Sequence, residues 1–356
     1  MRLLTAVATT LLCTALLPAA AAEREVTIAT ADPAVTLAGT LLTPDHTTAP
    51  PLLVMITGTG NHTRDQVISG TPIFSDLAAR LQQAGIATLR VDSRGSGAST
   101  GPKAMESTTL DRVEDTRAVV QWVREEVPDA RLGLLGHSEG AMIAAELADE
   151  PGVEFLVLIG APARSGREVW VDQQAAGVAQ ALEGQPDRIA EGRALLEEAA
   201  RLSIDGAPAE PLEQLAVRLF AVVGVDEATA RAEGDIANFA SRMTDPWMRA
   251  FLAHDPTPAL RSVRLPTLAV YGSHDTLTSI AQNAGPLVEL VTADNPHAFT
   301  LQVLPGEDHF MLRGEGLPPG EHKRGRMRVA PPLAPLVADW VQAVGEAASA
   351  PPAPGA

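Results

Sequence analysis

The sequence predicts an α/β domain whose mostly parallel central sheet is covered by helices on both faces and interrupted by an inserted helical segment. Three observations carry that reading. Between residues 52 and 159, short continuous apolar runs alternate with stretches of helical period, the pattern of strands buried on both faces. From 166 to 262 the alternation stops, and the chain is rich in Ala, Glu and Leu with no strand-like run. The strand rhythm then returns at 266–271 and 299–304.

Each element has a local cause. Residues 26–30 and 35–42 read as short strands on either side of the turn pair Asp32-Pro33, so the domain opens with a hairpin. The run 52–56 is wholly apolar. Thr71-Pro72 then precedes a helical stretch that places Ile73, Phe74, Leu77, Ala78 and Leu81 on one side, and Gly85 ends it. Residues 86–91 form the next apolar run. Thr108 and Asp111 have the spacing of a capping box for a second helix, which Pro128 stops. Strand 131–135, helix 139–148 and strand 155–159 repeat the unit. A last helix covers 333–344, and the Ala/Pro-rich segment 347–356 is expected to be a disordered tail. The plan is a first core part (23–165), a helical cap (166–262) and a second core part (263–346). A cap over the strand ends shapes a pocket and excludes water. Trp170 and Trp247 are candidates for its wall, with packing among the cap helices as the competing explanation.

Composition narrows the function. The 356 residues carry a formal charge of −17, so no basic stripe for nucleic acid is expected, and aromatics at 3% argue against a stacking groove. Residues 1–22 read as a signal peptide: Arg2, an apolar run from Leu3 to Leu17, then Pro18 and alanines ending at Ala22. The run is shorter than the roughly 20 residues a membrane-spanning helix needs, which leaves a retained membrane anchor as the alternative reading. Cleavage before Glu23 would leave an exported, periplasmic or secreted chain with no stable membrane anchor. The only cysteine, Cys13, would leave with the leader, so no disulfide or thiolate nucleophile is expected in the mature chain.

The sharpest chemical feature is Gly136-His137-Ser138-Glu139-Gly140, set between a predicted strand and a predicted helix. There the glycines allow a sharp turn that lifts the Ser138 hydroxyl clear of the sheet, next to the positive end of a helix. A serine hydroxyl needs a base, and the base needs a carboxylate to orient it. Asp275, after the strand at 266–271, and His309, after the strand at 299–304, are the candidates on the same rim. His274 and Asp308 are their sequence neighbours and weaker choices, since adjacent side chains in extended or turn backbone diverge. His137 is expected to pack beneath the turn, and His46, His62, His254, His297 and His322 read as surface or core residues. The backbone N–H groups of Thr59 and Glu139 are the candidate oxyanion donors, Thr59 because Thr57-Gly58-Thr59-Gly60 follows the strand at 52–56. The Glu139 carboxylate is a further candidate for the pocket lining.

Two glycine pairs, Gly58/Gly60 and Gly95/Gly97, each resemble half of a dinucleotide fingerprint but lack its third glycine and distal acid. In Asp92-Ser93-Arg94-Gly95-Ser96-Gly97, local pairing of Asp92 with Arg94 is expected. No metal-ligand spacing is present, and neither a metal nor another cofactor is expected.

Taken together, the elbow at 136–140, Asp275 and His309 in that order resemble the α/β-hydrolase superfamily over nearly all of residues 35–345. Thr57-Gly58-Thr59-Gly60, Asp92 to Ser99, Asp245-Pro246-Trp247 and His254-Asp255-Pro256 before Leu265-Pro266-Thr267 resemble a bacterial exported esterase-like branch. It is similar to serine esterases, dienelactone-hydrolase-like enzymes and serine aminopeptidase-like proteins. Thr57 departs from the superfamily, where many members carry His before the glycine. The resemblance implies an α/β-hydrolase fold and hydrolysis more firmly than any one bond, and the first reading is a serine hydrolase acting on a small-molecule ester. A peptidase or amidase with the same triad is the first alternative, and a non-catalytic binding protein the second.

Overall fold

A computed structural model of the chain describes residues 22–45, 49–293, 299–318 and 321–349. Residues 1–21 of the expected leader, 350–356 of the expected tail, His46 and His297 lie outside them.

In chain order the elements are β1 (Ala22–Ala29), β2 (Thr36–Thr43), β3 (Leu52–Ile56), the two-residue strands β4 (Val67–Ile68) and β5 (Thr71–Pro72), and α1 (Ile73–Gln83). There follow β6 (Ala87–Val91), α2 (Thr109–Glu126), β7 (Leu132–His137), α3 (Glu139–Glu146) and β8 (Val153–Ile159). Next come α4 (Gly166–Ala181), α5 (Pro186–Ile204), α6 (Ala209–Val222), α7 (Glu227–Ala232), α8 (Asp235–Thr244), α9 (Pro246–Ala253) and α10 (Thr257–Ser262). The chain ends with β9 (Thr267–Gly272), α11 (Ile280–Thr292), β10 (Phe299–Leu304), the short pair β11 (Leu312–Gly314) and β12 (Met327–Val329), and α12 (Leu333–Ser349).

Eight strands make one sheet in the order β1-β2-β6-β3-β7-β8-β9-β10. From β6 to β10 every neighbouring pair is parallel, while β2 runs antiparallel to both β1 and β6. The apolar runs follow from this. In β3, Leu52, Val54 and Ile56 enter a core that also holds residues of α2, α3, α10 and α11, while Leu53 and Met55 enter the opposite core under α1 and α12. Neither side meets water, so no position in the strand can be polar.

Several boundaries differ from the sequence reading for physical reasons. Strand β1 starts four residues before the expected one, because Ala22 to Glu25 pair with Thr40 to Thr43 on an exposed edge and carry no apolar signal. Helix α11 has no counterpart in the sequence reading, and Pro286, a poor residue for a helix interior, lies in its middle. Among the inserted helices, α10 packs Leu260 and Val263 into the sheet's core rather than among its neighbours. Helices α4, α5, α6, α8 and α9 gather around Trp170, Leu195, Leu212, Trp247 and Phe251, joined by Met142 from α3, while α7 packs Ala230 against Ala216 and Ile236 in a small separate cluster. Helix α12 continues to Ser349, into the segment expected to be a tail.

The expected capping box is present: Thr108 Oγ1 accepts the Asp111 N–H (3.1 Å) and Asp111 Oδ2 accepts the Thr108 N–H (2.7 Å). Thr108→Ala is expected to lower the stability measured by urea unfolding by about 1 kcal/mol. An unchanged midpoint would show that α2 is held by packing alone.

Candidate active site

The carboxyl ends of β3, β7, β8, β9 and β10, neighbours in the sheet, converge on one cavity of about 180 Å3. Open parallel sheets place their sites at such strand ends. Ser138 follows β7 directly and has φ 56° and ψ −120°, outside the regions a side-chain-bearing residue normally occupies. Its N–H donates to the Ile159 carbonyl at the end of β8 (2.9 Å). The flanking glycines are required by contact. A Cβ on Gly136 would lie 2.1 Å from the Gly140 carbonyl oxygen, and one on Gly140 would lie 2.2 Å from the Ile56 carbonyl oxygen.

Asp275 and His309 meet as a buried pair, with Oδ2 and Nδ1 2.8 Å apart. The Asp275 carboxylate also accepts the N–H of Leu277 (2.9 Å), the N–H of Thr278 (2.7 Å) and the Thr278 hydroxyl (2.9 Å). Burial opposes ionisation here, but the charge and hydrogen bond of His309 with those of Thr278 outweigh it, and Asp275 is held below the ordinary carboxylate range. Both Ser138 and His309 line the cavity, while among the described residues no hydrogen bond joins Ser138 Oγ to His309 Nε2. Gly160, after β8, has φ 57°, and a Cβ there would come 3.0 Å from the His309 ring.

The competing neighbours fall elsewhere. His274 is exposed and bonds Ser273 Oγ. Asp308 accepts the N–H groups of Phe310 and Leu312 (each 2.9 Å), which shapes the turn carrying His309, and it also binds His322.

On the oxyanion side, the Gly58 N–H is taken by Gln66 Oε1 (2.9 Å), which leaves Thr59 as the next donor along the loop. A Cβ on Gly58 would lie 3.3 Å from Ser138 Cβ, so the loop passes close to the serine. His62 Nε2 donates to the Thr59 carbonyl (2.8 Å), and burial pushes its pKa below the ordinary range. The Glu139 N–H is in the first turn of α3, where no intrahelical acceptor exists.

His137 does pack beneath the turn, and its partners fix its proton. Because Gln66 Oε1 faces an N–H donor, Gln66 Nε2 faces His137 Nδ1 (2.9 Å), which must accept. The proton therefore sits on Nε2, donated to the His309 carbonyl (2.9 Å). Burial, reinforced by nearby His309, pushes the His137 pKa down to about 3.

Sequence reasoning missed Gln66, Thr278, Gly160 and the role of His62. Of these only Gly160 had a visible signal, a glycine directly after a predicted strand. Asp92 and Arg94 do not pair with each other as expected. Asp92 binds Arg64 (2.8 Å) and Arg94 binds Asp115 (2.7 Å), each partner brought from a distant segment. The second glycine pair wraps this turn, since a Cβ on Gly97 would strike the Asp92 carboxylate. Both tryptophans, Trp170 and Trp247, line the cavity and also sit in the cap's core.

Comparison with known proteins adds three findings. Residues 51–314 match a family model described as alpha/beta hydrolase fold. The chain is similar to esterase EstD of Thermotoga maritima, 28% identical in an alignment of 280 positions that covers 75% of this chain and 56% of that protein. It thus spans about half the length of that relative. Among solved structures, it resembles an esterase of Pyrococcus furiosus (TM-score 0.54, 16% identity, 91% of each chain). It also resembles a proline iminopeptidase of Mycobacterium smegmatis (TM-score 0.55, 19% identity, 92% of this chain and 100% of that one). At such identities the likeness is one of fold.

Neutral His137 has a consequence for stability. Its folded pKa of about 3 lies below the unperturbed 6.5, so between these values the unfolded chain holds a proton that the folded protein lacks. Stability therefore falls as pH drops through this window, by up to about 1.4 kcal/mol per pH unit. Between pH 7 and 5, urea unfolding of the wild type is expected to lose about 2 kcal/mol more than that of His137→Gln. Equal losses would contradict a buried neutral imidazole.

Proposed function

The chain belongs to the alpha/beta hydrolase fold family, and on that premise we propose that it is an exported serine hydrolase cleaving carboxylic esters through an acyl-enzyme on Ser138. The observation that carries this reading is the buried His309–Asp275 pair, opening on the cavity that Ser138 lines.

In the proposed reaction Ser138 Oγ attacks the ester carbonyl while His309 Nε2 takes its proton. Asp275 keeps the other ring proton on Nδ1 and stabilises the imidazolium. The tetrahedral oxyanion is held by the N–H groups of Thr59 and Glu139. Its collapse expels the alcohol, which leaves with the proton from His309, and water activated by the same histidine then releases the acid. The Ser138–His309 hydrogen bond is expected to form on substrate binding, since such contacts often tighten only then. The small cavity and its apolar wall of Val169, Trp170, Met248, Phe251 and Phe310 suit a short acyl group.

An aminopeptidase would need a free carboxylate to anchor the substrate amine. Among the described residues lining the cavity, Glu139 is the only carboxylate, and four donors already occupy it. The cap's Arg242, also at the cavity, has the wrong sign for an amine. Esters are therefore the better supported class.

Export fits the leader at 1–22. Cleavage before Glu23 would remove the first residue of β1 and leave the rest of the strand to pair with β2. On expression in an exporting bacterial host, intact mass is expected to place the mature N-terminus at Glu23. A retained Met1 would contradict export by cleavage.

The test of the activity is fluorophosphonate labelling of the purified mature protein, mapped by mass spectrometry, together with turnover of matched short-chain esters and amides. Labelling at Ser138, preference for the ester, and a loss on the order of 10⁶ in kcat for Ser138→Ala are expected. Turnover that survives Ser138→Ala would overturn the mechanism, and equal use of ester and amide would overturn the ester assignment.

A further inference from the structure

Glu139 contributes its backbone N–H to the proposed oxyanion hole, yet its side chain carries four hydrogen bonds, as many as the Asp275 carboxylate. It is wholly buried, with a side-chain exposure of 0%. Thr109 Oγ1 (2.8 Å) and Trp247 Nε1 (3.2 Å) donate to Oε1, and Thr59 Oγ1 (2.9 Å) and Arg112 Nη1 (2.8 Å) donate to Oε2. Two donors on each oxygen fill the acceptor capacity of a carboxylate. Arg112 extends the network, since its Nη2 donates to the Thr57 carbonyl (2.7 Å). Both residues flanking Gly58 are thus tied to Glu139, Thr59 directly and Thr57 through Arg112.

A buried ion pair is weak evidence for added stability, because desolvation of both charges offsets their attraction. What it supplies is direction. Thr59 is held at its hydroxyl by Glu139 and at its carbonyl by His62, which leaves its N–H as the group free to face Ser138. The same carboxylate receives the indole N–H of Trp247, which comes from cap helix α9 and forms part of the cavity wall. The oxyanion loop and the cap therefore share one anchor.

We infer that Glu139 is a positioning residue: its carboxylate sets the direction of the Thr59 N–H and ties that direction to the seating of Trp247 in the cap. The inference rests on the serine-hydrolase reading above. It has an unusual kinetic consequence. Trp247 is a wall residue, whose alteration would ordinarily weaken substrate binding, but loss of its N–H should instead weaken transition-state stabilisation.

The test compares kcat, KM and the fluorophosphonate labelling rate for wild type, Thr59→Val, Thr59→Ser and Trp247→Phe, each shown to be folded by a cooperative thermal melt. Thr59→Val keeps the shape and the backbone N–H but removes the hydroxyl, and Trp247→Phe keeps a ring in the wall but removes the indole N–H. Both are expected to lower kcat roughly ten- to a hundredfold, the scale of a small misplacement at a reacting centre. KM should stay within about threefold, the pattern of an interaction made only in the transition state. Labelling should slow in parallel, and Thr59→Ser should restore kcat. If the wild type labels and turns over while either substitution leaves kcat unchanged or raises KM alone, the positioning role is overturned and the hydrolase reading stands. If the wild type does not label at Ser138, both are overturned.

Discussion

The backbone of Ser138 is the constraint from which the rest of the site follows. A serine at φ 56° and ψ −120° costs on the order of 1–3 kcal/mol and persists only where its surroundings leave no alternative. Those surroundings are specific. The turn must pass so close to the end of the neighbouring strand β3 and to the following helix that only glycine fits at 136 and 140, and the Ser138 N–H must reach the end of β8. The strain lifts the hydroxyl away from the sheet and points the first turn of α3 toward the same space. Neighbouring parallel strands then deliver Thr59, Asp275 and His309 to that rim without further distortion.

These groups are buried, and each buried titratable group resolves the conflict between desolvation and partners in its own way. Asp275 receives backbone and hydroxyl donors and faces an imidazole, so its partners outweigh burial and the charge is kept. His137, nearby in the same interior, has an amide donor on one nitrogen and a carbonyl on the other, so burial prevails and it is neutral. The chain Gly58–Gln66–His137–His309 also links the oxyanion loop to the backbone of the proposed base, through uncharged hydrogen bonds that impose one tautomer.

Much of this was legible in the sequence, and the reason is that the legible parts are local. The elbow is five contiguous residues between a strand and a helix, the capping box of α2 spans four, and a strand buried on both faces such as β3 announces itself as a continuous apolar run. Asp275 and His309 could be named because each closes the strand before it. What was hidden depends on contacts across the chain. Gln66 and His137 are 71 residues apart, and Glu139 and Trp247 are 108 apart. Asp92 and Arg94 invited a local pairing because they are neighbours, whereas their partners, Arg64 and Asp115, arrive from other elements. Helix α11 carries Pro286 in its interior, which its packing against the sheet tolerates, and β11 and β12 are three residues each, too short for an alternating pattern.

The central claim is geometric: one strained serine, one buried imidazole–carboxylate pair and two backbone N–H groups surround a single reacting carbon. A crystal structure of the phosphonylated protein tests it most directly, since the tetrahedral phosphorus stands in for that carbon and its oxygen for the oxyanion. The account predicts a bond from phosphorus to Ser138 Oγ, with the phosphoryl oxygen about 2.7–3.1 Å from the N–H nitrogens of both Thr59 and Glu139. An adduct on another residue, or a phosphoryl oxygen turned away from those two groups, would contradict it.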